Sequence, residues 1–89
     1  MARIDIANLE DGAPGEVNTS ADAFLQLGMI YSTGSSVPAD YVAAHKWFNL
    51  AALKGRCGAT ALRREVAEQM SDEEIARAQR EARAWITTH

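Results

Sequence analysis

Between residues 20 and 60 the chain runs through two stretches of helical periodicity separated by a short turn, SADAFLQLGMIYSTGSSVPADYVAAHKWFNLAALKGRCGAT. This segment constrains the fold more than any other. A helix–turn–helix unit leaves apolar surface uncovered and has to stack on a neighbour. Its first helix is expected to begin at Ser20, whose hydroxyl suits an unpaired backbone N–H. Ala23, Leu27, Ile30 and Tyr31 fall on one stripe at helical spacing. The helix should end near Thr33, because Gly34 is free to take the left-handed conformation. Pro38 keeps Val37 out of helical geometry, and Val37 is expected to plug the core between the two helices. Asp40 is a good N-cap for the second helix, whose stripe is Tyr41, Ala44, Trp47, Phe48, Ala51 and Ala52. Gly55 supplies the stop.

The remainder reads as two further helices. A third is expected from about Cys57 to Met70, with Ala59, Leu62, Val66 and Met70 as a weaker stripe. Ser71 to Glu74 has the S-x-x-E form of a capping box and starts a fourth helix. There Ile75, Ala78, Ala82, Trp85 and Ile86 recur at helical spacing, and Glu73 and Arg77 form an (i, i+4) pair. The link at Gly55-Arg56 is almost absent, which forces adjacent helices to pack antiparallel. No segment alternates with period two over a useful length. The predicted fold is all-α: an α/α repeat of about four antiparallel helices, arranged as two stacked helical hairpins. The single helical domain spans 20–89, with a repeat unit at 20–56 and a capping helix pair at 57–87. Residues 1–19 precede it as an acidic segment broken by Gly12, Pro14 and Gly15, with Ile4, Ile6 and Leu9 as anchors. That segment is either a flexible arm or an N-terminal cap on the open end of the first helix pair.

The order and spacing of these residues resemble the Sel-one-like repeat, an α/α repeat related to the tetratricopeptide type. That pattern runs A-x-x-x-L-G-x-x-Y, then G-x-x-V-x-x-D-Y-x-x-A, then W-x-x-x-A-A-x-x-G-x-x-x-A. The chain places Ala23, Leu27, Gly28 and Tyr31 on the first part, and Gly34, Val37, Asp40, Tyr41 and Ala44 on the second. Trp47, Ala51, Ala52, Gly55 and Ala59 match the third. The match covers one repeat. After Ala59 the family's L-G-x-x-Y is replaced by Leu62-Arg63-Arg64-Glu65, and Ser36 stands where a second loop glycine is usual. The resemblance implies a tetratricopeptide-like fold and an adaptor that holds other proteins together in signalling, envelope or quality-control assemblies.

Charge narrows the partners. The net charge is −3, and residues 1–22 hold Arg3 against Asp5, Glu10, Asp11, Glu16 and Asp22. This is not the basic footprint that nucleic-acid binding needs. No apolar stretch approaches the length of a membrane span, and the N-terminus has no secretory h-region. The lone Cys57 suits a reducing compartment, and Met1 favours a full-length cytoplasmic product over a mature periplasmic fragment.

Catalytic candidates are few. His45, Cys57 and His89 have no metal-ligand spacing, so no metal and no cofactor are expected. His45 and Asn49 form either a polar patch or an outward face of the second helix. Cys57 is either a thiol activated near a helix N-terminus beside Arg56 or a small, partly buried packing residue. Neither Ser35-Ser36 nor the segments Gly12–Gly15 and Gly34–Val37 have the surroundings of a nucleophile elbow or a phosphate loop. The reading is therefore a non-catalytic protein–protein interaction module. Phe24, Leu25, Gln26 and Met29 on the first helix are the candidate partner contacts, the alternative being burial under the N-terminal segment. A self-associating homodimer, joined through Tyr41–Leu53 or Ile75–Ile86, is the second reading, because one and a half units are short of a stable array.

Overall fold

Local capping decides where the helices begin. In the computed structural model, which describes residues 20–88, α1 spans Ala21–Thr33, α2 Tyr41–Leu53, α3 Ala59–Ala67 and α4 Asp72–Thr88. No strand occurs among the described residues. Ser20 Oγ accepts from the Ala23 amide at 3.1 Å, and Asp40 Oδ1 from the Ala43 amide at 3.0 Å. Gly34 closes α1 at φ 70°, donating its N–H to the Ile30 carbonyl. The loop then folds back, with the Asp40 N–H donating to the Tyr31 carbonyl. The capping box is formed in both directions: Glu74 N–H donates to Ser71 Oγ at 3.1 Å, and Ser71 N–H to Glu74 Oε1 at 2.8 Å.

Two expected boundaries move. The third helix starts at Ala59 rather than Cys57, because Gly55 and Gly58 both take φ 89° and the chain between them is a turn. It ends at Ala67 rather than Met70, and residues 68–70 tighten into turns whose amides reach carbonyls three residues back. Arg77 pairs with Glu81, Nε to Oε2 at 3.1 Å, rather than with Glu73.

Packing makes α2 the central element. Asp22, at the start of α1, meets Arg56, just past α2, so α1 and α2 run antiparallel. Ala59 packs with Leu50 and Ala51, and Val66 packs with Ala44, so α3 runs antiparallel to α2 as well. Ala82 and Trp85 join Leu50 and Ala51, which sets α4 alongside α1 and α3 and opposite to both. The helices α1, α3 and α4 each pack chiefly against α2 and only slightly against one another. The C-terminal pair is thus held together through α2 rather than as a self-contained hairpin.

The core has two parts, with α2 in both. One gathers Phe24, Leu50, Ala51, Ala59 and Ala82; the other gathers Ala44, Phe48 and Val66. Phe24 stacks on Trp47 (centroids 5.7 Å apart, planes at 23°) and meets Trp85 edge-to-face at 5.1 Å. Gly28 lets α1 approach α2: a Cβ there would lie 2.5 Å from the buried Phe48 ring. The N-terminal segment, its Ile4, Ile6 and Leu9, and His89 lie outside the described residues.

Candidate interaction site beside Tyr41

The end of the molecule where α1 closes and α2 begins carries two open clefts, one on each side of Tyr41. The larger, about 530 Å³, is lined by Tyr31, by Val37–Val42 and by Glu74. The smaller, about 220 Å³, is lined by Ser32, Tyr41 and Phe48 with Leu62, Glu65, Val66 and Gln69. All four helices contribute walls: Tyr31 and Ser32 from α1, Tyr41 from α2, Leu62 from α3 and Glu74 from α4. Tyr41 stands between the clefts at 39% exposure, so it belongs to the surface and not to the buried stripe on which its spacing placed it. Its position explains this. It is the first residue of α2, where the helix has only begun to enter the stack. Val37 is half-buried and lines the larger cleft instead of plugging the core.

The expected contacts on α1 divide. Phe24 is 1% exposed and forms the centre of the aromatic cluster, so it has no surface to offer a partner. Leu25 is half-buried and packs against both parts of the core. Gln26 and Met29 do lie on the outer stripe, with Asp22 and Thr33. Of the stripe expected on α1, Ala23 is buried, whereas Leu27, Ile30 and Tyr31 are only partly so. The true centre of the face is Phe24 and Gly28, four residues apart, and a glycine carries no apolar signal to reveal it. Among the other signature residues, Ala23, Ala44, Ala51 and Ala59 are fully buried, while Trp47 and Ala52 pack at the core's edge. On α4, Ile86 is exposed rather than part of the buried stripe.

The polar residues of α2 also turn inward. His45 is 3% exposed and not on an outward face. One turn on, Asn49 Oδ1 accepts a hydrogen bond from Arg63 Nη1 of α3. His45, Asn49 and Arg63 thus form a polar seam between α2 and α3. His45 Nδ1 is buried with no hydrogen-bond partner among the described residues. Burial, and secondarily the positive charge of Arg63, hold the His45 pKa below its ordinary value of 6.5. Lys46 instead reaches back over Trp47, with Nζ 4.4 Å from the ring centroid. Cys57 is exposed in the turn before α3 rather than partly buried in packing.

Among the described residues, no three His, Cys, Asp or Glu side chains converge in a way that could hold a metal ion, and no helix is long and apolar enough to cross a membrane. Comparison with protein-family models, with curated proteins and with solved structures finds no match.

Proposed function

We propose that this protein is a non-catalytic interaction module, a small adaptor of the Sel-one-like repeat type that takes its protein partner at the Tyr41 end of the helix stack. One observation carries the reading: an exposed tyrosine between two clefts whose walls come from four different helices. Tyrosine supplies a large, rigid contact surface and a hydroxyl, and such residues dominate binding energy at interfaces. Walls drawn from four packed helices and the capped loop between α1 and α2 are preorganised, so little order has to be created on binding. Gln26 and Met29, exposed on the outer stripe of α1, are a further contact strip. The acidic balance of the chain favours a protein over a nucleic acid as partner. The lone Cys57 supports a cytoplasmic setting.

The test is affinity purification with the intact chain, a Tyr41→Ala variant and a Gln26→Ala/Met29→Ser variant, each checked by thermal melting. The expected outcome is a partner retained by the intact chain and lost with Tyr41→Ala at unchanged melting temperature. An unchanged bound set overturns the placement at Tyr41. An empty one for the intact chain overturns the adaptor reading.

A second reading has its own observation. Leu53 at the end of α2 and Ile86 near the end of α4 are 65% and 48% exposed. Apolar side chains of this kind suit self-association. Sedimentation at micromolar concentration decides it: a strict monomer overturns the homodimer.

A further inference from the structure

We propose that the clefts beside Tyr41 receive an arginine side chain of an extended peptide segment in the partner; this rests on the reading of that end as the docking site. The lining is one-signed. Asp40 and Glu74 border the larger cleft and Glu65 the smaller, and neither is lined by a Lys, Arg or His. Among the described residues, none of the chain's Lys and Arg lines either cleft, although Arg64 stands in the last turn of α3 and Arg77 one turn past Glu74. Both tyrosines of the chain, Tyr31 and Tyr41, wall the larger cleft as well.

Helix dipoles offset those carboxylates only in part. Each helix end carries about half a unit charge, positive at an N-terminus and negative at a C-terminus. The larger cleft touches the N-termini of α2 and α4 and the C-terminus of α1, so the dipoles leave about half a positive charge against its two carboxylates. On the cleft walls themselves the full charges are those of the three carboxylates. Asp40 Oδ1 and Glu74 Oε1 are already engaged by the backbone N–H groups they cap. A carboxylate accepts several hydrogen bonds, so capping and binding a cation are compatible. The caps also fix both carboxylates in place, which lowers the cost of ordering them around a ligand.

Of the cationic side chains, arginine fits the chemistry best. Its planar guanidinium forks toward carboxylates and stacks on aromatic faces, whereas an ammonium is a compact, strongly hydrated point charge. A cleft of about 530 Å³ holds one such side chain with its flanking backbone.

The experiment is an amide chemical-shift titration of the full chain with the blocked peptide acetyl-Gly-Ala-Arg-Ala-Gly-amide. A second titration uses the same peptide with citrulline, which keeps the shape and loses the charge. The arginine peptide is expected to shift the amides of Tyr31, Tyr41 and Glu74, with the citrulline peptide about tenfold weaker. Raising the salt from about 50 to 500 mM should weaken the arginine peptide several-fold. An Asp40→Asn/Glu74→Gln variant keeps an oxygen at each cap while removing both charges. It should melt near the parent temperature and bind the two peptides alike.

Equal binding of the two peptides at Tyr41 overturns the arginine specificity and leaves the docking reading standing. So does the absence of any shift while capture of a partner still depends on Tyr41. Shifts that map elsewhere, or an arginine preference that persists in the charge-neutral variant, overturn the arginine site. Capture that does not depend on Tyr41 overturns the docking reading itself.

Discussion

Gly28 sits where α1 comes closest to α2, and its missing side chain is filled by the Phe48 ring. Alanine has the higher helix propensity, by about 1 kcal/mol. At this site the added methyl would lie 2.5 Å from two ring atoms of a side chain that is itself fully buried. Overpacking of that kind costs about 1–3 kcal/mol, so it outweighs the propensity gain. Gly28→Ala is therefore expected to lower the denaturant midpoint, and an unchanged or raised midpoint would show that the ring yields. A second residue-scale effect follows from His45. Its pKa is lowered in the folded state, so below about pH 6.5 the unfolded chain binds the proton more readily than the folded one. The stability His45 contributes is full above that pH and is lost as pH falls, with a slope of at most about 1.4 kcal/mol per pH unit. Melts between pH 8 and pH 5 on the parent and on His45→Gln should show the difference narrowing as the variant loses that slope. Parallel curves would exclude a buried neutral His45. Both residues were hard to read in the sequence, for physical reasons. Gly28 carries no apolar signal, so the face it shares with Phe24 went unmarked. His45 looked like a solvent-facing polar residue because its burial comes from the packing of other helices on α2, which no residue beside it announces.

Helix boundaries were legible where a cap is local chemistry. Ser20, Asp40 and the Ser71–Glu74 box each join a side chain to a backbone amide three residues away, so the sequence carries the whole interaction. The start of α3 was not legible, because it depends on Gly55 and Gly58 both taking positive φ around Cys57. The same locality makes the box testable. Ser71→Ala removes the acceptor for the Glu74 N–H and should cost about 1 kcal/mol. In a domain of this size that lowers the melting temperature by roughly 4–8 °C. Glu74→Gln keeps an oxygen for the Ser71 amide and should move it far less. If the two variants shift the melt equally, the carboxylate charge at the N-terminus of α4 matters as much as the Ser71 hydrogen bond.

At the scale of the whole molecule, the packing of three helices on one makes α2 the element that none of the others can do without. The clefts beside Tyr41 depend on this arrangement, since the helices that wall them are placed by α2. They were invisible in the sequence for the same reason: Asp40 and Glu74 are distant in the chain and meet only when α2 and α4 lie side by side. The fold class itself was readable from helical spacing and turn residues, which each segment carries alone. A chain ending at Met70 tests how far the molecule behaves as one unit. It loses Ala78, Ala82 and Trp85, and so uncovers Leu50, Ala51 and the edge of Phe24. A half-buried indole accounts for about 2–3 kcal/mol, and uncovering a leucine for about 1.5–3 kcal/mol more. Against a total stability of about 5–15 kcal/mol, that loss leaves little for the remaining three helices. The truncated chain is therefore expected to show no cooperative thermal transition by circular dichroism and a red-shifted Trp47 emission. A sharp melt near the parent temperature would make α4 an appendage to a self-sufficient three-helix core. The Tyr41 clefts would then have one wall that the rest of the fold does not hold in place.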